Sequence, residues 1–117
     1  LLGLNREKDW LNILVIGAAH LLALGGVAWL VFAKASPWTI GLGLLWFALC
    51  GMGITGGYHR LFAHKSYKAS WPVRLFYLCF GAAAVQNSAL KWSSDHRVHH
   101  AFTDRDGDPY NIRRGFF

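Results

Sequence analysis

Two long apolar runs, separated by a short polar stretch, dominate the hydrophobic pattern of the chain. They are WLNILVIGAAHLLALGGVAWLVF at residues 10–32 and WTIGLGLLWFALCGMGITGGY at residues 38–58, and neither contains Lys, Arg, Asp or Glu. A helix needs about 20 apolar residues to cross the hydrocarbon core of a bilayer, so each run is long enough to span it. Because only five residues join the runs, the pattern predicts a transmembrane helical hairpin.

The remainder of the chain, residues 59–117, is more polar and carries one shorter apolar stretch, LFYLCFGAAAVQNSAL at residues 75–90. That stretch is short for a span and polar near its end, so it predicts a buried or interfacial helix. Pro72 suits the first turn of this helix, where an N–H is not needed. Residues 103–109 have the composition of a turn and predict a surface loop. We interpret the chain as one partial domain that is all-α and embedded in a membrane.

Composition and charge support a membrane protein and predict its orientation. Hydrophobic residues make up 54% of the chain and charged residues 15%, whereas soluble domains carry about 25% charged residues. Of the twelve Lys and Arg, nine follow residue 58 and one lies between the runs. The positive-inside rule then predicts that both ends are cytoplasmic, in a bacterial inner membrane or the endoplasmic reticulum membrane, with residues 34–37 outside. The basic face suits lipid headgroups or an anionic substrate, and we expect no nucleic-acid partner.

Five of the six histidines fall in two short clusters, HRLFAH at residues 59–64 and HRVHH at residues 96–100. On an α-helix, His96, His99 and His100 occupy positions i, i+3 and i+4 and share one face. His59 and His64 are five residues apart, which is about 140° around an α-helix, so we expect this pair to serve two neighbouring centres better than one. Both clusters are predicted to meet at the cytoplasmic boundary of the membrane.

The chemistry of clustered imidazoles indicates a metal site. Imidazole is the commonest nitrogen ligand for iron, zinc, copper and nickel, whereas five converging imidazoles without a metal would compete for protons. No cysteine lies near the clusters in the sequence, which excludes zinc-finger and iron–sulfur sites. His20 is alone in the first apolar run and is expected to be a packing or hydrogen-bonded residue. The spacing does not distinguish iron from zinc, because imidazole sites accept either metal.

The two clusters and their surroundings resemble the membrane fatty acid desaturases. HRLFAH and HRVHH by themselves are patterns that other membrane di-iron oxygenases share. A narrower similarity, to the acyl-CoA delta-9 or stearoyl-CoA branch, rests on QN at residues 86–87, KW at 91–92, DH at 95–96 and DPYNIRRGFF at 108–117. The similarity is strong over residues 56–117 and weaker over the apolar hairpin.

This resemblance implies an all-helical fold with four membrane spans and a cytoplasmic cap that holds two iron ions. It implies the oxygen-dependent insertion of a cis double bond, at the delta-9 position, into a saturated fatty acyl-CoA. An electron-donor protein, such as cytochrome b5 or a ferredoxin, would supply electrons, and zinc can replace iron in purified samples. By position, the implied iron ligands are His59, His64, His96, His99 and His100.

The resemblance also implies which residues bind the substrate. Asn87 and Asp95 take the positions that contact the CoA head, Asn12 joins them, and Trp92 lines the tunnel for the acyl chain. Ser94 stands where stearoyl-CoA desaturases of animals usually carry arginine. An acyl-lipid substrate therefore stays open as an alternative.

Further expectations follow from what the resemblance requires. The family carries a third histidine box on a second hairpin, so we expect the polypeptide to continue beyond Phe117. A related di-iron hydroxylase or alkane oxygenase is the alternative enzyme, because it needs the same ligands. A non-enzymatic metal-binding membrane protein is the alternative outside catalysis. That alternative predicts ligands inside the bilayer, whereas four of the five clustered histidines lie well beyond the apolar runs.

Overall fold

The computed structural model describes residues 10–33 and 35–114, and within these ranges it contains helices and turns but no β-strand. The α-helices are α1 (Trp10–Phe32), α2 (Pro37–Met52), α3 (Trp71–Ala83) and α4 (Ala89–Phe102). A π-helix (Gly53–Ala63) directly follows α2, and a short 3-10 helix (Ile112–Arg114) follows the loop after α4. The prediction of an all-α fold is confirmed.

The described part of the chain divides into two compact units, with the boundary after Gly41, and α1 belongs to the first. The described side chains of α1 are exposed around its whole circumference, and Leu22 is 77% exposed. A helix that is apolar all round is stable inside a large core or a membrane. The stretch Ile13–Phe32, with a mean hydropathy of 2.1, is long and apolar enough to cross a membrane. His20 lies 2.7 Å from the carbonyl of Ile16 through Nδ1, which confirms it as a hydrogen-bonded residue.

The second predicted run begins in α2 and ends in the π-helix. Together these helices form an apolar stretch, Pro37–Ala63, of 27 residues with a mean hydropathy of 1.6, which is also long enough to cross a membrane. The helical stretch extends five residues beyond the predicted end at residue 58 and so includes His59. The predicted domain boundaries and the hairpin arrangement of the two spans stay predictions.

Close packing against α3 explains the glycines of the π-helix. A methyl group on Gly53 would overlap the backbone of Gly81 in α3, and one on Gly57 would overlap the side chain of Tyr77. Gly81 in turn leaves room for the ring of Tyr58, which is 1% exposed. The missing side chains of Gly53 and Gly57 therefore permit the close approach of the π-helix to α3. Three glycines of α2 instead have open space around them: Gly41, Gly43 and Gly51.

A tight turn separates α3 from α4 and ends the apolar helix earlier than the sequence predicts. Pro72 stands in the first turn of α3, as expected, but the helix ends at Ala83 rather than near residue 90. Val85 and Asn87 have positive φ angles of 55° and 76°, which lie outside the α-helical region. Ser88 then caps α4, because its hydroxyl accepts a hydrogen bond from the N–H three residues later.

The loop after α4 contains two buried polar side chains. The side chain of Asp108 is 0% exposed, and that of Asn111 is also buried. The prediction of a surface loop is therefore wrong at Asp108. The carboxylate tolerates burial because the backbone N–H groups of Asp104 and Tyr110 donate hydrogen bonds to it, each at 2.8 Å.

Candidate metal centre

The first histidine cluster lies on the π-helix, and this geometry decides how its two histidines face. In a π-helix, N–H groups bond to carbonyls five residues earlier, so residues i and i+5 lie above one another. The N–H of His64 bonds to the carbonyl of His59 at 2.9 Å, and the two ring centroids are 4.6 Å apart. The prediction that these residues lie about 140° apart is wrong, because it assumed an α-helix. The number of metal centres that the pair serves stays a prediction.

Side chains from the segment after the π-helix help to hold it. The hydroxyl of Tyr67 donates a hydrogen bond to the carbonyl of Gly56 at 2.7 Å. The N–H and the hydroxyl of Ser66 both donate to the carbonyl of Arg60, at 2.9 and 2.8 Å. Burial and the neighbouring Tyr77 raise the pKa of Tyr67 to about 12, so its hydroxyl keeps its proton and remains a donor at neutral pH. These bonds satisfy carbonyl groups of the segment that carries the first cluster.

Helix α4 brings two more imidazoles to the same place. His96 and His100 are one helical turn apart, and their Nε2 atoms are separated by 3.1 Å. The Nε2 atom of His64 also lies 3.1 Å from that of His96, although these residues are 32 positions apart in sequence. The four residues that each bring one ring nitrogen within 4.8 Å of the others are His59, His64, His96 and His100. We call them the four-histidine group.

The four-histidine group fits a transition metal. Metal–nitrogen bonds of about 2.1 Å place neighbouring ligand atoms about 3.0–3.4 Å apart at angles of about 90–110°. The two observed separations of 3.1 Å lie within this range. Burial and the neighbouring imidazoles, that of His59 first, lower the pKa of His96 to about 4, so its ring is neutral at pH 7. Among the described residues the group contains no carboxylate, which favours iron, zinc, copper or nickel over magnesium or calcium.

His99 lies on α4 but outside the four-histidine group. Its Nδ1 atom is 3.0 Å from both carboxylate oxygens of Asp108, and its ring centroid is 6.3 Å from that of His96. The histidines of the second cluster therefore share a helix, as predicted, but they face two different partners. The role of His99 as an iron ligand stays a prediction.

Asp108 is a partner of His99 that the sequence did not reveal. Burial acts to raise the pKa of its carboxyl group, but hydrogen bonds from Tyr110, Asp104 and His99 outweigh burial and lower this pKa. The carboxylate is therefore ionised at neutral pH, and it can only accept hydrogen bonds from groups that carry a proton. The Asp-Pro sequence indicates a turn, yet no spacing rule links residue 108 to a histidine nine residues earlier. Only the folded loop brings the two together.

Three of the four residues predicted to bind the substrate line one cavity of about 450 Å³. Its walls are formed by Val85, Gln86, Asn87, Trp92, Asp95 and Tyr110. Asn87 and Asp95, predicted at the CoA head, therefore share one cavity with Trp92, predicted along the acyl tunnel. Asn12 lies in α1, and its side chain is outside the part of the chain that the structure describes.

Trp92 connects this cavity with the four-histidine group. Its ring stacks on that of His96, with centroids 4.8 Å apart and planes inclined by 20°. Its Nε1 atom donates a hydrogen bond to Oε1 of Gln86 on the cavity wall, at 3.2 Å. The indole is thus held at both ends, and it limits the orientations that the ring of His96 can adopt.

The charged residues beside the cavity are partly paired. Lys91 forms an ion pair with Asp95, one turn later on α4. Ser94 and Arg97 are exposed on the same helix. Lys91 is thus already engaged with a carboxylate.

Several curated proteins are similar to nearly the whole chain. The acyl-CoA Delta-9 desaturase of Acheta domesticus is 45% identical over 113 residues, which are 97% of this chain and 31% of that protein. The acyl-CoA Delta12-desaturase of the same species is 46% identical over 111 residues, or 95% and 31%. Stearoyl-CoA desaturase 5 of Bos taurus is 42% identical over 115 residues, or 98% and 34%. The chain spans about a third of the length of these relatives. No protein-family model matches it.

Proposed function

The chain belongs to the fatty acid desaturase family, and we propose that the whole protein inserts a cis double bond into a saturated fatty acyl-CoA. In this proposal molecular oxygen is the oxidant and two iron ions form the metal centre. The observation that carries it is the convergence of ring nitrogens from two distant histidine clusters. A metal site made of imidazoles beside a cavity of about 450 Å³ is an arrangement that supports this proposal.

The four-histidine group is the proposed site of one iron ion, and His99 contributes to the position of the second. When bound, iron supplies the activation of molecular oxygen that unactivated C–H bonds require. Two hydrogen atoms leave adjacent carbons of the acyl chain, and a donor protein provides two electrons together with two protons from water. One molecule of oxygen is thereby reduced to two molecules of water. The chain contributes the imidazole nitrogen donors and their positions.

The cavity beside the four-histidine group is the proposed binding place for the substrate. Asn87 and Asp95 offer hydrogen-bonding groups to the CoA head, and Asn12 is a further proposed contact. Trp92 lines the cavity and stacks on His96, so its indole is the apolar group along which an acyl chain would approach the metal site. This arrangement suits a methylene chain, which offers no polar group by which a protein could hold it.

The proposed delta-9 position of the double bond rests on the family resemblance rather than on the metal geometry. The two Acheta domesticus relatives are named for different positions, Delta-9 and Delta12, yet they are 45% and 46% identical to this chain. Identity over this segment therefore does not distinguish the two positions. The distance along the acyl tunnel from the head contacts to the metal would set the position, and mass spectrometry of the product would locate it.

We also propose that residues 59–117 face the cytoplasm, where acyl-CoA and an electron donor such as cytochrome b5 or a ferredoxin would meet the metal centre. The basic residues after the second apolar stretch support this orientation, in a bacterial inner membrane or the endoplasmic reticulum membrane. A cysteine introduced by Ser36→Cys should react with an impermeant maleimide from the non-cytoplasmic side of sealed vesicles. Reaction from the cytoplasmic side alone would reverse the proposed topology.

Product analysis of the purified full-length protein tests the proposed function. With iron, an electron donor, oxygen and labelled stearoyl-CoA, we expect a labelled alkene. An alcohol would identify a hydroxylase instead, and reaction of lipid-linked but not CoA-linked chains would identify an acyl-lipid desaturase. The exposed Ser94 motivates this second comparison. His96→Ala should lose the product and the iron ion of the four-histidine group, whereas His20→Ala, which changes a residue bonded within α1, should retain the product and both ions.

A further inference from the structure

Asp108 is a buried carboxylate whose position is fixed by several hydrogen bonds. Its oxygens accept from the backbone N–H groups of Asp104 and Tyr110, each at 2.8 Å. The side chain is 0% exposed, and Nδ1 of His99 lies 3.0 Å from both oxygens. Both backbone donors belong to the loop that contains Asp108. The carboxylate therefore cannot turn away from His99 without opening that loop.

We propose that Asp108 is a positioning residue that fixes the tautomer and the ring orientation of His99 for metal binding. An ionised carboxylate is an acceptor only, so the proton between the two groups belongs to Nδ1 of His99. The lone pair of the imidazole then lies on Nε2, which is the atom left for a metal. This inference rests on the proposed function, because it assigns His99 to a metal ion.

His99 differs in this respect from the four-histidine group. Nε2 of His96 contacts the Nε2 atoms of His64 and His100, so these rings are arranged around a shared centre. Among the residues that the structure describes, no other histidine forms a pair with a carboxylate. A ring that lies outside the group needs a separate partner to hold its orientation, and Asp108 is that partner.

A purely structural role in closing the loop is the competing explanation for Asp108. Asn111 offers a matched comparison, because its side chain is also buried and also holds this loop. Its amide donates to the carbonyl of Arg105 and accepts from the N–H of Arg113, each at 2.9 Å. Damage to the loop alone should affect variants of both residues alike. Loss of a positioned His99 should affect variants of Asp108 only.

Titration of the metal-free full-length protein with cobalt(II) tests this inference, with visible absorption and bound cobalt per chain as readouts. Asp108→Asn keeps the size of the side chain but presents an amide donor, which favours the tautomer with the proton on Nε2. We expect the affinity for the ion that His99 binds to fall roughly 10- to 100-fold, while the four-histidine group keeps its ion. Asn111→Ala should bind both ions like the wild type, even where thermal unfolding shows a weaker loop.

The outcomes separate this inference from the proposed function. Wild-type cobalt binding by Asp108→Asn, or an equal loss in Asn111→Ala, overturns the positioning role. His99→Ala must lose the same ion as Asp108→Asn without disturbing the loop, and retention of both ions in that variant also overturns it. If His96→Ala binds cobalt like the wild type, the histidines are not a metal site and the proposed function fails. Loss in His96→Ala with unchanged binding in Asp108→Asn refutes the positioning role alone.

Discussion

The two histidine clusters present the same ligand type on different kinds of helix. The first uses the i→i+5 geometry of a π-helix to place His59 and His64 on one face. The second uses an ordinary α-helix, in which His96 and His100 are one turn apart. In both pairs the ring centroids are 4.6 Å apart. Two backbone periods thus give the same separation of imidazoles.

The two helices differ in what keeps them formed. Helix α4 has a local determinant, since Ser88 caps its first turn. The π-helix is a rare geometry, and contacts with other segments accompany it: the hydroxyl of Tyr67 on Gly56 and the close approach of Gly53 to Gly81. We infer that tertiary packing positions the first cluster and that local sequence positions the second. Single substitutions should therefore disturb the two clusters separately.

The largest effect is expected from Gly53→Ala, which places a methyl group against the backbone of Gly81. Backbone cannot move aside as a flexible side chain can, so we expect the free energy of unfolding to fall by about 1–3 kcal/mol. Gly51→Ala is the matched control, because a methyl group there meets open space. Chemical denaturation in detergent measures both variants. Equal stability of the Gly53→Ala and Gly51→Ala variants would show that the contact between Gly53 and Gly81 does not stabilise the π-helix.

A smaller and local effect is expected from Ser88→Ala, which removes the cap of α4. Loss of such a cap lowers the free energy of unfolding by about 1 kcal/mol, whereas Ser88→Gly should lower it by only a few tenths of a kcal/mol. Amide hydrogen exchange should become faster in the first turn of α4 and stay unchanged in residues 53–63. Faster exchange in both regions would mean that the two clusters do not form independently.

The smallest effect is expected from Tyr67→Phe, which removes one hydrogen bond to the carbonyl of Gly56. A hydrogen bond of this kind contributes about 0.5–1.5 kcal/mol, and the half-buried position of Tyr67 favours the lower part of that range. Hydrogen exchange should accelerate in residues 56–64 and not in α4. The opposite pattern would assign the hydroxyl to some other role.

The approach of His96 to His100 could be predicted from the sequence, because their i, i+4 spacing matches an α-helix, which is the default geometry for such a segment. The first cluster could not, because the same residues give different faces on an α-helix and on a π-helix. The choice between them is accompanied by contacts from Tyr67 and Gly81, which follow the cluster in sequence. The spacing of residues within HRLFAH therefore does not predict those contacts.

The cavity beside Trp92 and the carboxylate partner of His99 show two further limits of sequence-based prediction. Resemblance to a family pointed to Asn87, Trp92 and Asp95, and the structure places these three on one cavity. Asp108 was missed as a partner of His99, because its burial depends on a loop that folds back on the end of α4. Turn composition indicated that loop but not which side chain lies inside it.

The central claim is that His64 from the first cluster and His100 from the second bind the same metal ion. Metal content per chain of the full-length protein, compared among His64→Ala, His100→Ala and the double variant, tests it most directly. We expect the double variant to lose no more metal than either single variant, because both changes remove ligands of one ion. Loss of one ion in each single variant and of two ions in the double variant would contradict the claim.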